Sequence, residues 1–134
     1  MSEKVFEDLY LNTTGGGSAT GVFRATSRAI SIGSHNGAMF EVTLKSANNL
    51  QSNGVALQVE GSNDGQNWSP NVFGGATTIA TNTGTTAPRY QAVVPTTSAV
   101  IPFAMLRLTA ALITPTSSAQ AAILDASLRT FQKA

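Results

Sequence analysis

Four stretches of this chain place apolar side chains at every second position, and that period constrains the fold more than any other feature. In MFEVTLK, Phe40, Val42 and Leu44 alternate with Met39, Glu41, Thr43 and Lys45. In VALQVEG, Val55, Leu57 and Val59 alternate with Ala56, Gln58 and Glu60. In AMLRLTAAL, Ala104, Leu106, Leu108 and Ala110 alternate with Met105, Arg107 and Thr109. Near the end, Leu124, Ala126 and Leu128 alternate with Asp125, Ser127 and Arg129. Successive side chains of a strand point to opposite faces, so each run has one buried and one solvated face.

Turn-forming residues separate these runs. TTGGGSATG (13–21), SHNG (34–37), SANNLQSNG (46–54) and TPTSSAQ (114–120) read as loops. Residues 73–88 read as loop with one short strand around Ile79. The tail, 119–134, is rich in Ala, Leu and Gln, which favour helix. The clean alternation of 124, 126 and 128, followed by Thr130 and Phe131, favours a strand instead. The expected strands are 4–12, 21–33, 38–46, 54–61, 76–81, 88–95, 103–113 and 121–132. About eight short strands with almost no helix imply an all-β, two-layer antiparallel β-sandwich with jelly-roll or other Greek-key connections. The Gly15-Gly16-Gly17 run is a hinge or hairpin tip that divides an N-terminal arm or first strand, 1–14, from a sandwich domain, 15–134.

A chain of 134 residues suits one domain with a self-supporting core. It has no cysteine, so disulfides and thiolate metal sites are excluded. Eight basic residues face seven acidic ones, and the charged fraction is only 11%. With no basic stripe to neutralise phosphates, no nucleic-acid partner is expected. No stretch approaches the roughly 20 apolar residues of a membrane-spanning helix, and no membrane partner is expected. The acidic N-terminus, MSEKVFEDLYLN, does not read as a signal peptide. A low-charge surface resists contact between copies only weakly.

EGSNDGQNW, 60–68, is the richest candidate for chemistry. As a calcium loop, Glu60, Ser62 and Asp64 would take the first, third and fifth positions and Gly65 the sixth. The twelfth position, which needs a bidentate Glu, is Asn71, and strands rather than helices flank the segment. As a turn, more residues are explained. Asn63 or Asp64 bonds its own backbone, Gly65 supplies a positive φ, Trp68 opens the return segment, and Pro70 stops the ladder.

The stretch VALQVEGSNDGQNWSP resembles a strand–turn–strand signature of β-sandwich proteins, with an apolar row followed by S-N-D-G-x-x-W. Here the row is Val55, Leu57 and Val59, and the signature residues are Ser62, Asn63, Asp64, Gly65 and Trp68. FAMLRLTAAL is similar to the strand that partners this hairpin. The signature recurs in discoidin-type domains and in small structural proteins of tailed phages and phage-like particles. The bridging cysteines usual in discoidin-type domains are absent, and the short chain with its triple glycine looks more like the phage-type group. The resemblance implies a sandwich hairpin and carries no ligand residues.

No other motif selects a reaction. His35 is the only histidine and lies in a turn, and no G-x-S-x-G elbow exists. One His with no Cys does not build a usual zinc site, and the carboxylates are scattered. The glycines of 15–17 lack the Lys-Ser/Thr and helix of a phosphate loop. No catalytic residue, metal or cofactor is therefore expected. Arg107 and Arg129 lie on polar strand faces, as cross-strand ion pairs or as subunit contacts. Val5, Leu9 and Leu11 suit an arm that reaches a neighbouring subunit. The expectation is a non-enzymatic structural protein, a capsid decoration or minor virion component. It would be made in the bacterial cytoplasm and partnered by copies of itself and a shell protein. The alternative is a carbohydrate-binding or adhesion module.

Overall fold

The computed structural model of the chain describes residues 2–12, 23–48, 55–70, 77–79, 89–93, 101–112 and 121–132. These contain nine strands: β1 (Ser2–Asn12), β2 (Arg24–Thr26), β3 (Ile30–Ser31), β4 (Gly37–Asn48), β5 (Val55–Ser62), β6 (Thr77–Ile79), β7 (Arg89–Val93), β8 (Met105–Leu112) and β9 (Ala121–Phe131). They form two antiparallel sheets. One runs β1-β9-β4-β7, and the other runs β2-β8-β5-β6, with β3 also paired to β8.

The pairing has a simple logic. β1 pairs with β9, β2 and β3 with β8, β4 with β7, and β5 with β6. Early strands thus meet late strands in nested order, as in a long two-stranded ribbon whose tip is β5–β6. Wrapping that ribbon adds the contacts β4–β9 and β5–β8. The result is a jelly-roll sandwich, which buries one face of each sheet against the other.

The inward rows are those marked by period two. Phe40, Val42 and Leu44 of β4, Val55, Leu57 and Val59 of β5, Leu106, Leu108 and Ala110 of β8, and Leu124, Ala126 and Leu128 of β9 are all buried. Each large aliphatic side chain in these rows contributes about 1.5–3 kcal/mol by leaving water. The tail is a strand, not a helix, and pairs on both sides with β1 and β4.

Three boundaries differ from the sequence expectation. First, 21–33 is not one strand. β2 and β3 lie along the same side of β8 but are separated by Ser27–Ala29. There the Ser27 hydroxyl accepts the Leu108 N–H at 2.9 Å and donates to the Arg28 carbonyl, while Ser27 N–H donates to the Leu108 carbonyl. A side-chain oxygen thus stands in for a ladder carbonyl, and the edge bends without orphaning a buried donor. Second, Ser46–Asn48 extends β4 rather than opening a loop, because β9 continues opposite it to Ala121. Third, Ala104 precedes β8 and is exposed.

β1 departs from strict alternation. Its register against β9 shifts twice, between Lys4 and Phe6 and between Phe6 and Leu9, each time with one extra residue on β1. Two bulges bring Phe6 and Leu11 into the core, and Val5 and Leu9 pack partly against it. Asp8 sits at φ 49°, a conformation that Asp tolerates better than most residues. The Gly15-Gly16-Gly17 hinge and Asn71 lie outside the described residues.

Candidate functional site

The segment 62–68 folds as a turn centred on two polar side chains. Ser62 is buried, and its hydroxyl accepts the N–H groups of Asp64 and Gly65 at 3.2 and 2.9 Å and donates to Asp64 Oδ1 at 3.0 Å. Asp64 Oδ1 also accepts the N–H groups of Gln66 and Asn67, both at 2.8 Å, and Oδ2 accepts the Asn67 side-chain amide at 2.7 Å. Gly65 holds φ 76° within this network, which a side chain would strain. The Asn67 backbone N–H, then that of Gln66, holds the Asp64 carboxyl well below the usual carboxylate range. Both carboxylate oxygens already have donors, so the geometry is that of a closed turn rather than an open cation loop. The return segment meets β5 at one point, the bridge of Gly61 and Ser69, with hydrogen bonds of 3.0 and 2.8 Å. Pro70 follows without an N–H to continue it.

Neighbouring loops tie this turn down. Asn63 donates its amide to the Pro102 carbonyl at 3.2 Å and accepts the Ala104 N–H at 2.8 Å. Ile101 N–H bonds the Asn36 carbonyl, and Ile32 N–H bonds the Ala104 carbonyl. Segments 32–36, 62–69 and 101–104 therefore share one end of the sandwich as a hydrogen-bonded unit. Phe103 lies over Gly61, where a Cβ would come within 2.6 Å of its ring. His35 belongs to this end, with Nδ1 3.2 Å from the Ile32 carbonyl.

Arg107 lies beside the turn on the outer face of the second sheet. Its guanidinium stands 4.1 Å from the centroid of the half-buried Trp68 ring, and its Nε is 2.6 Å from Glu60 Oε1. Glu60 and Arg107 are direct cross-strand partners. Trp68, Arg107 and Glu60 thus form a stacked trio, with the cation on the ring face and the carboxylate at its side. Arg129 reaches Glu41 at 3.7 Å on the other sheet.

A second polar cluster marks the outer face of the first sheet, where β1 and β4 both bulge against β9. Asp125 Oδ1 accepts the Asp8 backbone N–H at 2.8 Å, and Lys45 bonds Asp8 Oδ1. Asp125 Oδ2 lies 3.8 Å from Lys4 Nζ and 3.7 Å from Lys45 Nζ. The Asp8 N–H, aided by Lys4 and Lys45, lowers the Asp125 carboxyl, and the Asp8 hydrogen bond raises Lys45. At the rim, Arg28 donates to Glu3 at 2.7 Å and to the Lys4 carbonyl at 2.9 Å, joining β1 to the other sheet. Among the described residues, no three His, Cys, Asp or Glu side chains gather as metal ligands.

Sequence reasoning singled out Ser62, Asn63, Asp64, Gly65 and Trp68, and the structure brings all five to this one end. It also named Arg107, which joins them, and Arg129, Val5, Leu9 and Leu11, which do not. Leu11 is fully buried within its own chain. Glu60, Phe103 and the Pro102–Ala104 backbone were missed as partners. The FAMLRLTAAL strand does lie beside β5, as β8.

No family model and no curated protein sequence matches the chain. Among solved structures, one of infectious bursal disease virus, Gx strain, has a TM-score of 0.51 at 12% identity. It covers 96% of this chain and 30% of that one. The VP2 subviral particle of infectious bursal disease virus has a TM-score of 0.51 at 12% identity, covering 98% of this chain and 32% of that one. The chain therefore spans about a third of the viral chains it matches. A structure titled "CBM4 structure and function" gives a TM-score of 0.37 at 14% identity over 91% of this chain and 94% of that one, too low to carry an argument. None of these is a discoidin-type or tailed-phage protein. At such identities the viral likeness establishes the fold alone.

Proposed function

We propose that this chain is a non-enzymatic structural protein of a viral particle, and more narrowly a capsid decoration or minor virion protein of a phage or phage-like particle. It acts by associating with copies of itself and with a shell protein, and needs no cofactor. The observation that supports this best is the jelly-roll sandwich, matched over nearly its whole length by part of the chain of a viral particle. The sequence signature at 55–70 points the same way. A phage origin places synthesis in the bacterial cytoplasm and the product in the virion. The experiment is co-sedimentation with virions released from the host culture, together with light scattering on the purified chain. Association with the particle is expected. A monomer at every concentration that never sediments with particles refutes the proposal.

The carbohydrate-binding or adhesion alternative rests on the resemblance of VALQVEGSNDGQNWSP to discoidin-type domains. A sugar stacks on an open aromatic face, and one face of the only tryptophan is occupied by Arg107. That contact favours the structural reading.

A further inference from the structure

We propose that β1 is exchangeable between copies, so that the β9 edge of one copy receives β1 of another. This deepens the structural reading above and rests on it for the presence of neighbouring copies. Four observations carry it.

The first is that the β2/β3 and β1 edges are poor places to add a strand. The β2/β3 edge is interrupted at Ser27–Ala29. The outer edge of β1 itself is bulged twice and carries Lys4, Glu7 and Asp8. Interruptions, bulges and charges of this kind block edge-to-edge pairing. The partner that β1 fits is the eleven-residue β9, and β1 already occupies it. Contact of β1 with the β9 of another copy therefore proceeds by replacement, not addition.

The second is that the β9 slot is specific for β1. Asp125 is placed to accept the N–H left over by the Asp8 bulge, Arg28 donates to Glu3 and the Lys4 carbonyl, and the core takes Phe6 and Leu11. An ordinary unbulged strand would satisfy none of these together. A second copy of this chain presents all of them.

The third is that a second β1 restores every apolar and ladder contact of the first, so the ion pairs around it are what differ least in cost between the two arrangements. The Arg28–Glu3 and Lys45–Asp8 pairs have side chains 40–64% exposed. Exposed pairs contribute little and are screened by salt. Departure uncovers Phe6 and Leu11 and opens the β9 ladder, and an arriving β1 from another copy restores both.

The fourth is chain length. Asn12 lies beside Ala121 at one end of the sandwich, and the Phe23 carbonyl accepts the Leu112 N–H at that same end. Residues 49–54 make the crossing between the sheets in six residues at this end, whereas 13–22 offer ten, four of them glycine. Fully extended, that segment reaches about 36 Å, against about 10 Å between packed sheets. Docking within one chain still has the advantage of high effective concentration, near the millimolar range. Exchange is thus favoured where copies are concentrated, as on a shell.

The chain has no cysteine, so introduced pairs report without background. Lys4 and Ser127 are register partners on β1 and β9, as are Tyr10 and Ile123. Lys4→Cys/Ser127→Cys and Tyr10→Cys/Ile123→Cys are refolded across a concentration series, oxidised, denatured and run without reductant. The expected result is a covalent species of two or more chains that grows with concentration. Single-chain disulfides at every concentration would overturn the proposal. If neither double variant folds, Lys4→Cys and Ser127→Cys single variants are mixed and refolded together. A disulfide joining position 4 of one chain to position 127 of another, identified by peptide mass, supports exchange, and its absence overturns it. Particle binding with single-chain disulfides sinks exchange and leaves the proposed function standing. Chain-to-chain disulfides without particle binding do the reverse.

Discussion

Thr130 and Thr109 are equally buried, each 4% exposed, yet their hydroxyls differ in what they touch. Thr109 Oγ1 lies 3.2 Å from Thr26 Oγ1, whereas Thr130 Oγ1 has no partner among the described residues. Thr130 continues the inward row of β9 beyond Leu128, opposite the fully buried Ala38. Burying a hydroxyl without a hydrogen bond costs about 1–3 kcal/mol in proteins. Val has the same β-branched shape, keeps the strand preference, and replaces the oxygen with a methyl group. Thr130→Val should therefore stabilise the fold by about 1–3 kcal/mol. An unfolding entropy of about 2.1 cal/mol/K per residue over 134 residues makes each 1 kcal/mol worth roughly 3.5 °C. The melting temperature should rise by roughly 4–10 °C, measured by calorimetry and by urea denaturation with an unchanged slope. Thr130→Ser keeps the unpaired hydroxyl and loses the methyl group, and should destabilise. Thr109→Val, which breaks a made hydrogen bond, should lower stability by about 0.5–1.5 kcal/mol. If Thr130→Val is neutral or destabilising, the hydroxyl has a partner in solution and the reasoning fails.

Ser27→Ala removes the acceptor of the buried Leu108 N–H and should cost about 1–3 kcal/mol by urea denaturation, while Ser27→Thr retains the oxygen. Gly61→Ala drives a Cβ into Phe103 and should lower the melting temperature; adding Phe103→Ala should relieve part of that loss, a coupling read by a double-mutant cycle. The Asp64 carboxyl is depressed by the N–H groups it accepts, so its contribution is present above the unfolded value of about 3.9 and is lost as pH falls below it. Melting temperature should therefore decline below about pH 4, and Asp64→Asn should flatten that decline while lowering stability at neutral pH.

Local chemistry was legible in the sequence and long-range chemistry was not. The rows Phe40–Leu44, Val55–Val59, Leu106–Ala110 and Leu124–Leu128 were readable because period two is a property of the chain itself. The turn at 62–68 was readable for the same reason, since Ser62, Asp64 and Gly65 satisfy one another within four residues. The break at Ser27 was not, because it depends on a hydroxyl meeting Leu108, eighty-one residues away. The β1 bulges left a faint signal in the mismatch of Phe6 with Leu9 and Leu11, and in Asp8, which tolerates a left-handed backbone. The acceptor that takes the N–H of the second bulge, the carboxylate of Asp125, lies at the other end of the chain. Asn63 was named as a turn former, yet its side chain serves the Pro102–Ala104 segment instead.

The placement of the charges bears on how such a body meets its neighbours. Glu3 pairs with Arg28, Glu60 with Arg107, Glu41 with Arg129, and Asp8 and Asp125 with Lys4 and Lys45. Each of these pairs joins two strands, or a strand to the β2–β3 connection, so most of the charges among the described residues are paired within the fold. Their fields cancel over a few ångströms and offer a neighbour little long-range steering. The interrupted β2/β3 edge and the bulged β1 edge disfavour backbone pairing there. On the proposed function, contact between copies would run through neutral faces and loop ends, weak for each copy and strengthened by repetition. An exchanged β1 would add to that a connection through the chain itself. On this reading the Asp8 bulge and its Asp125 acceptor both discourage a foreign strand and admit β1 of another copy, because only that strand brings its unpaired N–H to the same place.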